Sequence, residues 1–184
     1  SYVTLENVFA TTSGTGFNGV RLNNNFIIDV NIESCNINNN SRTGIYIPSF
    51  VDVDGLTIKN STISNNGYWG IAAFQTSATT SQVKNVLISH CAFIDNNPTN
   101  QIQGHTIYFE KLSNATFENI SVVMPPSNGR IGIDINLLSR DDYSNINILN
   151  SRIIRSSPGS GIWIQARNDL LYPAASLDTV VLRG

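Results

Sequence analysis

Apolar and polar residues alternate in short stretches along the whole chain, and one such stretch recurs seven times. Its second apolar position is occupied by Leu5, Ile32, Ile58, Ile88, Phe117, Ile148 and Leu182. Successive copies are 27, 26, 30, 29, 31 and 34 residues apart, which is within the range of repeat lengths found in solenoid proteins. Alternation with a period of two predicts a strand with one buried face, so the sequence predicts a solenoid built of β-strands.

Two further stretches complete each repeat. A small polar residue follows the first stretch before alternation resumes, and these residues are Asn7, Ser34, Asn60, His90, Asn119 and Asn150. Because asparagine tolerates the left-handed backbone region, we expect a sharp corner there, with the stacked side chains bonded in an asparagine ladder. The third stretch opens on glycine in most repeats, as in Gly44-Ile45-Tyr46-Ile47, and we expect these glycines to adopt positive φ. The predicted fold is an all-β parallel solenoid of six to seven coils with three strands per coil.

Composition supports strands and limits the possible partners. Only 13% of the 184 residues are charged, and the abundant Asn, Ser and Thr compete with a helix for backbone hydrogen bonds. A formal net charge of −2 provides no basic field, so we expect no nucleic-acid partner. No apolar run approaches the roughly 20 residues of a membrane span, and we expect no membrane insertion.

The two cysteines, Cys35 and Cys91, take the same place in their repeats, with one further repeat between them. Coils that stack at about 4.8 Å would hold the two residues roughly 10 Å apart, which is too far for a disulfide. We predict that both are free thiols that fill small buried spaces.

This repeat, with asparagine at a tight corner, resembles the right-handed parallel β-helix proteins of the pectin-lyase-like superfamily. The resemblance covers nearly the whole chain and implies one β-helix domain over residues 1–184. Val3 and Leu182 are core positions close to the two ends, so we expect a segment of a longer protein. The calcium-binding aspartates of the pectate-lyase-like members are missing, as are the Gly-His-Gly and Arg-x-Lys motifs of the polygalacturonase-like members.

Chemistry in a β-helix belongs to outward-facing residues, because side chains fill its interior. The outward columns of the glycine-led stretch are Arg21, Tyr46, Ala72, Tyr108, Asp134 and Trp163, followed two positions later by Asn23, Pro48, Phe74, Glu110, Asn136 and Gln165. Glu110 and Asp134 are the only acidic residues in these columns, and strand geometry places their Cα atoms roughly 8 Å apart. Two carboxyl groups separated by about 5 to 9.5 Å can cleave a glycosidic bond as acid and base or nucleophile. We therefore assign Glu110 and Asp134 as the candidate catalytic pair.

Aromatic, amide and arginine side chains near this pair are candidates for substrate binding, because rings stack on flat sugar faces and arginine suits an anionic sugar. The candidates are Tyr46, Tyr108, Asn136, Trp163, Gln165, Arg140 and Arg167. An ordinary pattern of solvated charges stays open as the alternative, in which Glu110 pairs with Lys111 or Arg130 and Asp134 pairs with Arg140.

Other candidates carry weaker signals. His105 lies near Glu110 in the sequence, but a lone histidine at a turn is usually structural. The pairs Asp52/Asp54 and Asp141/Asp142 have the oxygen ligands that calcium prefers, although acidic residues cluster in many loops. We therefore predict no metal ion and no cofactor.

The Asn-, Ser- and Thr-rich repeat is similar in style to the β-helical bodies of bacteriophage tailspikes and capsule depolymerases. The similarity implies a secreted or virion-surface homo-oligomer, a trimer in the case of a tailspike, that binds and cleaves a polysaccharide. We favour a glycoside hydrolase, and a lyase that acts on a bacterial surface or extracellular glycan stays open as the alternative reaction. The alternative is a noncatalytic structural or adhesive stalk that binds glycan without cleaving it.

Overall fold

The computed structural model describes residues 3–11, 16–76, 80–98, 104–126, 131–138, 142–154, 159–168 and 174–184. Every regular element within these residues is a β-strand, and all the pairings between strands are parallel. The strands form three sheets in which each strand pairs with its counterparts one repeat before and one repeat after. The predicted all-β parallel solenoid with three strands per coil is confirmed.

The three sheets take successive strands of each coil. Sheet 1 contains β1 (Val3–Glu6), β4 (Phe26–Glu33), β7 (Asp52–Lys59), β10 (Val83–Ser89), β13 (Ser113–Glu118), β16 (Asp142–Leu149) and β19 (Ser176–Arg183). Sheet 2 contains β2 (Phe9–Thr11), β5 (Asn36–Asn38), β8 (Thr62–Ser64), β11 (Ala92–Ile94), β14 (Ser121–Val123) and β17 (Arg152–Ile154). Sheet 3 contains β3 (Val20–Arg21), β6 (Thr43–Ile47), β9 (Trp69–Ala73), β12 (Ile107–Phe109), β15 (Ile133–Leu137) and β18 (Ile162–Ala166). The predicted six to seven coils correspond to the six or seven strands of each sheet.

The register of the sheets follows the sequence repeat. Ile32 pairs with Ile58 and Ile58 with Ile88, and Ile88 pairs in turn with Phe117. All four side chains are fully buried. Because side chains alternate between faces along a strand, the same register places the intervening residues on the outside, and inward and outward columns are as predicted.

Glycine occupies the start of the sheet 3 strands for a different reason from the one that the sequence suggested. The prediction of positive φ is wrong, because Gly44, Gly70 and Gly132 are not among the residues with positive φ. A Cβ atom on Gly44 would instead lie 2.5 Å from the carbonyl oxygen of Gly70, and one on Gly70 would lie 2.7 Å from that of Thr106. Close approach of the next coil therefore selects glycine here.

The corner between sheets 1 and 2 has the predicted backbone but not the predicted side-chain ladder. Its residues have φ between 46° and 55°, and they are Asn7, Ser34, Asn60, His90, Asn119 and Asn150. All six residues are exposed, and their side-chain contacts are long, 3.5 Å from Asn119 Nδ2 to His90 Nε2 and 3.5 Å from Asn60 Nδ2 to Glu33. The left-handed corner is confirmed, but the structure does not show an asparagine ladder along it.

A buried row of asparagines lies at the next corner, between sheets 2 and 3. Nδ2 of Asn40 donates to Oδ1 of Asn66 at 2.9 Å, and Nδ2 of Asn66 donates to Oδ1 of Asn96 at 2.9 Å. The backbone N–H of Asn40 also donates to Asn66, and Asn66 Nδ2 reaches the carbonyl of Ile37 at 3.2 Å. Each coil thereby supplies the polar partners that the next coil needs inside the molecule.

Both cysteines are free and buried, as predicted. The thiol of Cys35 donates to the carbonyl of Glu33, and that of Cys91 donates to the carbonyl of Ser89, each at 3.2 Å. Burial raises the pKa of Cys91 to about 11, so this thiol stays protonated and unreactive in the folded protein.

Replacement of Asn66 by Ala should destabilise the fold by about 3 kcal/mol, because buried groups of Asn40 and Asn96 lose their partner. Urea unfolding followed by circular dichroism measures this loss. Asn147→Ala is the matched control, since Asn147 lies on the outer side of β16 and should cost less than about 0.5 kcal/mol. Equal costs for the two variants would contradict a stabilising role of the buried row.

Candidate functional site

The candidate residues lie on the outer face of sheet 3. Tyr108 on β12 pairs with Asp134 on β15, and Asp134 pairs with Trp163 on β18. Asn136 pairs with Gln165 in the same two strands. Glu110 directly follows β12, one coil before Asp134 and two residues further along the strand. The register that the repeat predicted therefore brings these residues onto one surface.

Two donors among the described residues hold the carboxylate of Glu110. The Tyr108 hydroxyl donates to Oε1 at 2.7 Å, and the backbone N–H of Gln75 donates to Oε2 at 2.7 Å. The Tyr108 oxygen accepts a bond of 3.2 Å from Nδ2 of Asn136, and Nε2 of Gln165 donates to Oδ1 of Asn136. Side chains from successive coils are thus joined into one polar chain that ends at Glu110.

Asp134 has a different environment, next to His105. Its Oδ2 lies 3.5 Å from His105 Nε2, whereas its Oδ1 is buried and has no hydrogen-bond partner among the described residues. The backbone N–H of Ile131 donates to His105 Nδ1 at 3.4 Å, which assigns the proton of a neutral imidazole to Nε2, facing Asp134. The His105 ring stacks on Tyr108 with centroids 5.4 Å apart. His105 therefore belongs to the site.

Burial shifts the pKa values of Asp134 and Tyr108. It raises the pKa of Asp134 to about 6, and the negative charge of Glu110 acts in the same direction. Burial also raises the pKa of Tyr108, with a further contribution from Glu110, so the phenol remains a hydrogen-bond donor. The exposed fractions of Glu110 and Asp134 are only 8% and 4%, so neither carboxyl group is open to solvent. Arg130 and Arg140, considered above as their pairing partners, lie outside the described residues.

Lys111, the residue that follows Glu110, is also buried. Its ammonium group donates to Ser81 Oγ at 2.8 Å and to the carbonyls of Pro48 and Ser49 at 3.1 and 3.3 Å, and it also binds the carbonyl of Val51. Burial lowers the pKa of Lys111 to about 8, while the charges of Asp52 and Glu110 oppose the shift. The side chain that the sequence suggested as a partner of Glu110 thus holds the segment 48–51 in place.

A row of aromatic rings extends from the carboxyl pair toward the earlier coils. Phe74 lies at the centre of the row, with ring centroids 5.4 Å from Tyr108, 5.2 Å from Trp69 and 5.7 Å from Tyr46. Tyr68 stacks on Trp69 at 5.2 Å. Trp69, Ala72 and Tyr108 form a small apolar cluster separate from the core of the coil. The outer face of sheet 3 is therefore a packed aromatic surface.

The structure places the other predicted binding residues around this surface. Trp163 is the most open of those that the structure describes, with 47% of its surface exposed beside Asp134. Tyr46 is half-buried at the opposite end of the aromatic row. Arg167 follows β18, where its N–H donates to the carbonyl of Leu137 at 2.9 Å. Arg140 lies outside the described residues.

Trp69 and Phe74 lie on this face but were not among the sequence candidates. His105, for which the sequence favoured a structural role, contacts Asp134. Trp69 precedes Gly70 and so falls outside the aligned core of the glycine-led stretch. Phe74 belongs to the same outward column as Glu110 and Asn136, which is the signal that could have identified it. His105 has no counterpart in the other repeats, so only its contact with Asp134 reveals it.

The aspartates considered as calcium ligands either bind other described residues or lie outside the described part of the chain. Asp54 pairs with Lys84 at 3.2 Å, and Asp52 accepts the N–H of Gln82 at 2.6 Å. Asp142 accepts a bond from the Ser176 hydroxyl at 2.6 Å, and Asp141 lies outside the described residues. Across the part of the chain that the structure covers, no group of three or more His, Cys, Asp or Glu residues is arranged to hold a metal ion. The same residues contain no helix that is both long and apolar enough for a membrane span.

Comparison with known proteins assigns the fold to a family. A family model described as "right handed beta helix region" matches residues 4–172. The chain therefore belongs to the right-handed β-helix family, and its coils wind in the right-handed sense. No curated protein and no solved structure matches the chain.

Replacement of Asp134 by Asn should change the pH dependence of stability. A carboxyl group whose pKa rises from 3.8 to about 6 on folding stabilises the fold below pH 4, and this contribution is lost as pH rises through 6. Asparagine resembles the protonated acid, so the variant should equal the wild type at pH 4 and exceed it at pH 7 by on the order of 2 kcal/mol. Urea unfolding at half-unit pH steps measures the difference.

Asp178→Asn is the control, because Asp178 is exposed on β19. Its stability should follow the wild type at every pH. A constant difference between Asp134→Asn and the wild type from pH 4 to pH 7 would contradict the raised pKa.

Proposed function

We propose that this protein binds a polysaccharide along the outer face of sheet 3 and cleaves its glycosidic bonds beside Asp134. The observation that carries the proposal is the position of an exposed Trp163 next to a buried, protonatable Asp134, on a surface that the core of the coil does not need. A flat aromatic ring can hold a sugar by stacking. A proton donor beside it can protonate the glycosidic oxygen of the bond that is cleaved.

Binding is supported by the shape and chemistry of the whole face. Trp163 and Tyr46 lie at its two ends, with the half-buried amides of Asn136 and Gln165 near Trp163. Rings offer apolar faces to sugar rings, and amide groups both donate to and accept from hydroxyl groups. Successive coils place outward side chains about 4.8 Å apart along this face, which suits an extended chain better than a single small molecule.

Cleavage is supported by the contrast between the two carboxyl groups. Asp134 has its pKa raised to about 6, so it is largely protonated in mildly acidic solution and can act as the general acid. Glu110 accepts bonds from Tyr108 and Gln75, as an ionised carboxylate does, and takes the role of base or nucleophile. Carboxyl groups kept in opposite protonation states are what glycoside hydrolysis requires.

A noncatalytic glycan-binding stalk is the second candidate, and the burial of the carboxyl pair favours it. Only 8% of Glu110 and 4% of Asp134 is exposed, so a sugar must displace neighbouring groups before it can reach either. A stalk would use the exposed rings without the carboxyl pair.

We also propose that the protein acts outside the cell or on a virion, as a homo-oligomer. A low charge density and an abundance of Asn, Ser and Thr support this setting through the tailspike resemblance. Sedimentation velocity of the intact protein tests the oligomer, with a trimer expected and a monomer at all concentrations contradicting it.

Incubation with a panel of bacterial polysaccharides tests cleavage. The wild type should release reducing ends without the ultraviolet absorbance of unsaturated products, and Asp134→Asn and Glu110→Gln should each lose at least about 100-fold in rate. Glu118→Gln, in sheet 1 on β13, should keep full activity. Binding without release of reducing ends would favour the stalk, and unchanged rates in both variants would end the catalytic assignment.

Trp163→Ala should weaken binding of the same polysaccharide about tenfold, because an exposed ring contributes on the order of 1.4 kcal/mol when it stacks on a sugar. Isothermal titration calorimetry measures the affinity. Phe9→Ala is the matched control, since Phe9 is 74% exposed but lies on β2 in sheet 2. Equal losses in the two variants would show that sheet 3 is not the binding face.

A further inference from the structure

Glu110 and Lys111, the two residues that follow β12, bind two residues of the preceding coil. Glu110 accepts the backbone N–H of Gln75 at 2.7 Å, while the ammonium group of Lys111 donates to Ser81 Oγ at 2.8 Å. The Gln75 side chain joins the two contacts, because its Nε2 donates to the carbonyl of Ser81 at 2.7 Å. The four residues therefore form a closed ring of contacts, which we call the Lys111 ring.

The Lys111 ring lies inside the protein. All four of its residues are buried, and Lys111 is fully buried. Phe109 pairs with Ala73, so Lys111, two residues further on, lies over Gln75 in the same inward column. Buried polar groups depend on partners within the protein, because bulk water does not replace a hydrogen bond that is lost. The geometry of the ring is therefore set by its own members.

The ammonium group of Lys111 also fixes the ring to the coil before that. It binds the carbonyls of Pro48, Ser49 and Val51. Its three N–H donors are therefore shared among four oxygen atoms. The Ser81 hydroxyl donates in turn to the carbonyl of Ser49. An apolar side chain in place of Lys111 would leave these buried oxygens short of donors, so the position of Ser81 depends on Lys111.

We propose that Lys111 is a positioning residue for the carboxylate of Glu110 and acts through Ser81 and Gln75. The ammonium group holds Ser81, the carbonyl of Ser81 holds the side chain of Gln75, and the backbone N–H of Gln75 holds Oε2 of Glu110. Tyr108 binds the other carboxylate oxygen, so the orientation of the carboxylate depends on both bonds. This inference rests on the proposed function, in which Glu110 is the base or nucleophile, and adds the residue that keeps its carboxylate oriented.

Nuclear magnetic resonance of the Gln75 amide tests this role without any substrate. In the wild type its proton signal should lie downfield, as expected for an N–H bonded to a carboxylate. Lys111→Met should move the signal upfield, because methionine fills much of the same space but donates no hydrogen bond. Ser81→Ala should move it in the same direction, and this variant decides the test if Lys111→Met does not fold.

Lys84→Met is the matched control, because Lys84 is an exposed lysine on β10 in sheet 1. It should leave the Gln75 signal in place. A Gln75 signal that stays in place in Lys111→Met and Ser81→Ala, or that moves equally in Lys84→Met, overturns the positioning role.

Chemical rescue tests whether the ammonium group itself is needed. Lys111→Ala removes the side chain beyond Cβ, and propylammonium has the missing atoms. Propylammonium chloride should raise the urea midpoint of this variant and restore its Gln75 signal in a saturable manner, because it binds the folded state. Propanol and tetramethylammonium chloride at the same concentration should do neither. Equal rescue by propanol, or no rescue by propylammonium, contradicts the proposal.

Kinetics separates failure of this inference from failure of the proposed function. On a polysaccharide that the wild type cleaves, Lys111→Met should lose at least about tenfold in kcat while KM stays within about twofold, because a misplaced carboxylate slows the reaction without weakening binding. Lys84→Met should keep both constants. An unchanged kcat in Lys111→Met would overturn the positioning role and leave cleavage in place. A Gln75 signal that responds as expected in a protein that cleaves no polysaccharide would overturn the proposed function alone.

Discussion

Parallel, in-register stacking of the coils is the constraint on which the rest of the structure depends. Each strand bonds to the equivalent strand of the coil before and the coil after, so each residue lies over its counterpart in the repeat. A side chain must therefore fit its own coil and also pack against the equivalent side chain one coil away. Isoleucine columns in the interior, asparagines in the buried row and glycines at the sheet 3 strand starts all satisfy this requirement.

The outer face of sheet 3 uses the same stacking for a different purpose. Its residues are not uniform along the column, and Tyr46, Ala72, Tyr108, Asp134 and Trp163 succeed one another. Small Ala72 leaves space that Phe74 and Trp69 fill from the sides. The surface thus passes from the aromatic row around Phe74 to a carboxyl group beside Trp163, while the core underneath stays the same.

The repeat made the fold and the outward columns predictable, because alternation and period depend only on local sequence. It correctly placed Glu110, Asp134, Asn136 and Gln165 on one face. Burial was not predictable in this way, since His105 contacts both Tyr108 and Asp134 and has no counterpart in the other repeats. The buried row of Asn40, Asn66 and Asn96 was not predicted. These residues follow other asparagines or an aspartate, and sequence alone does not show which of two adjacent polar residues points inward.

The hydrogen bonds of Lys111 affect how the coils of the solenoid unfold. In a stack of coils, contacts normally join only neighbours, so coils can open one at a time from an end. The ammonium group of Lys111 instead reaches carbonyls 60 to 63 residues earlier in the chain, two coils away, and a hydroxyl in the coil between them. Opening of any one of these three coils exposes buried donors and acceptors in the other two. We therefore expect the coils beneath the aromatic row to open together rather than one at a time.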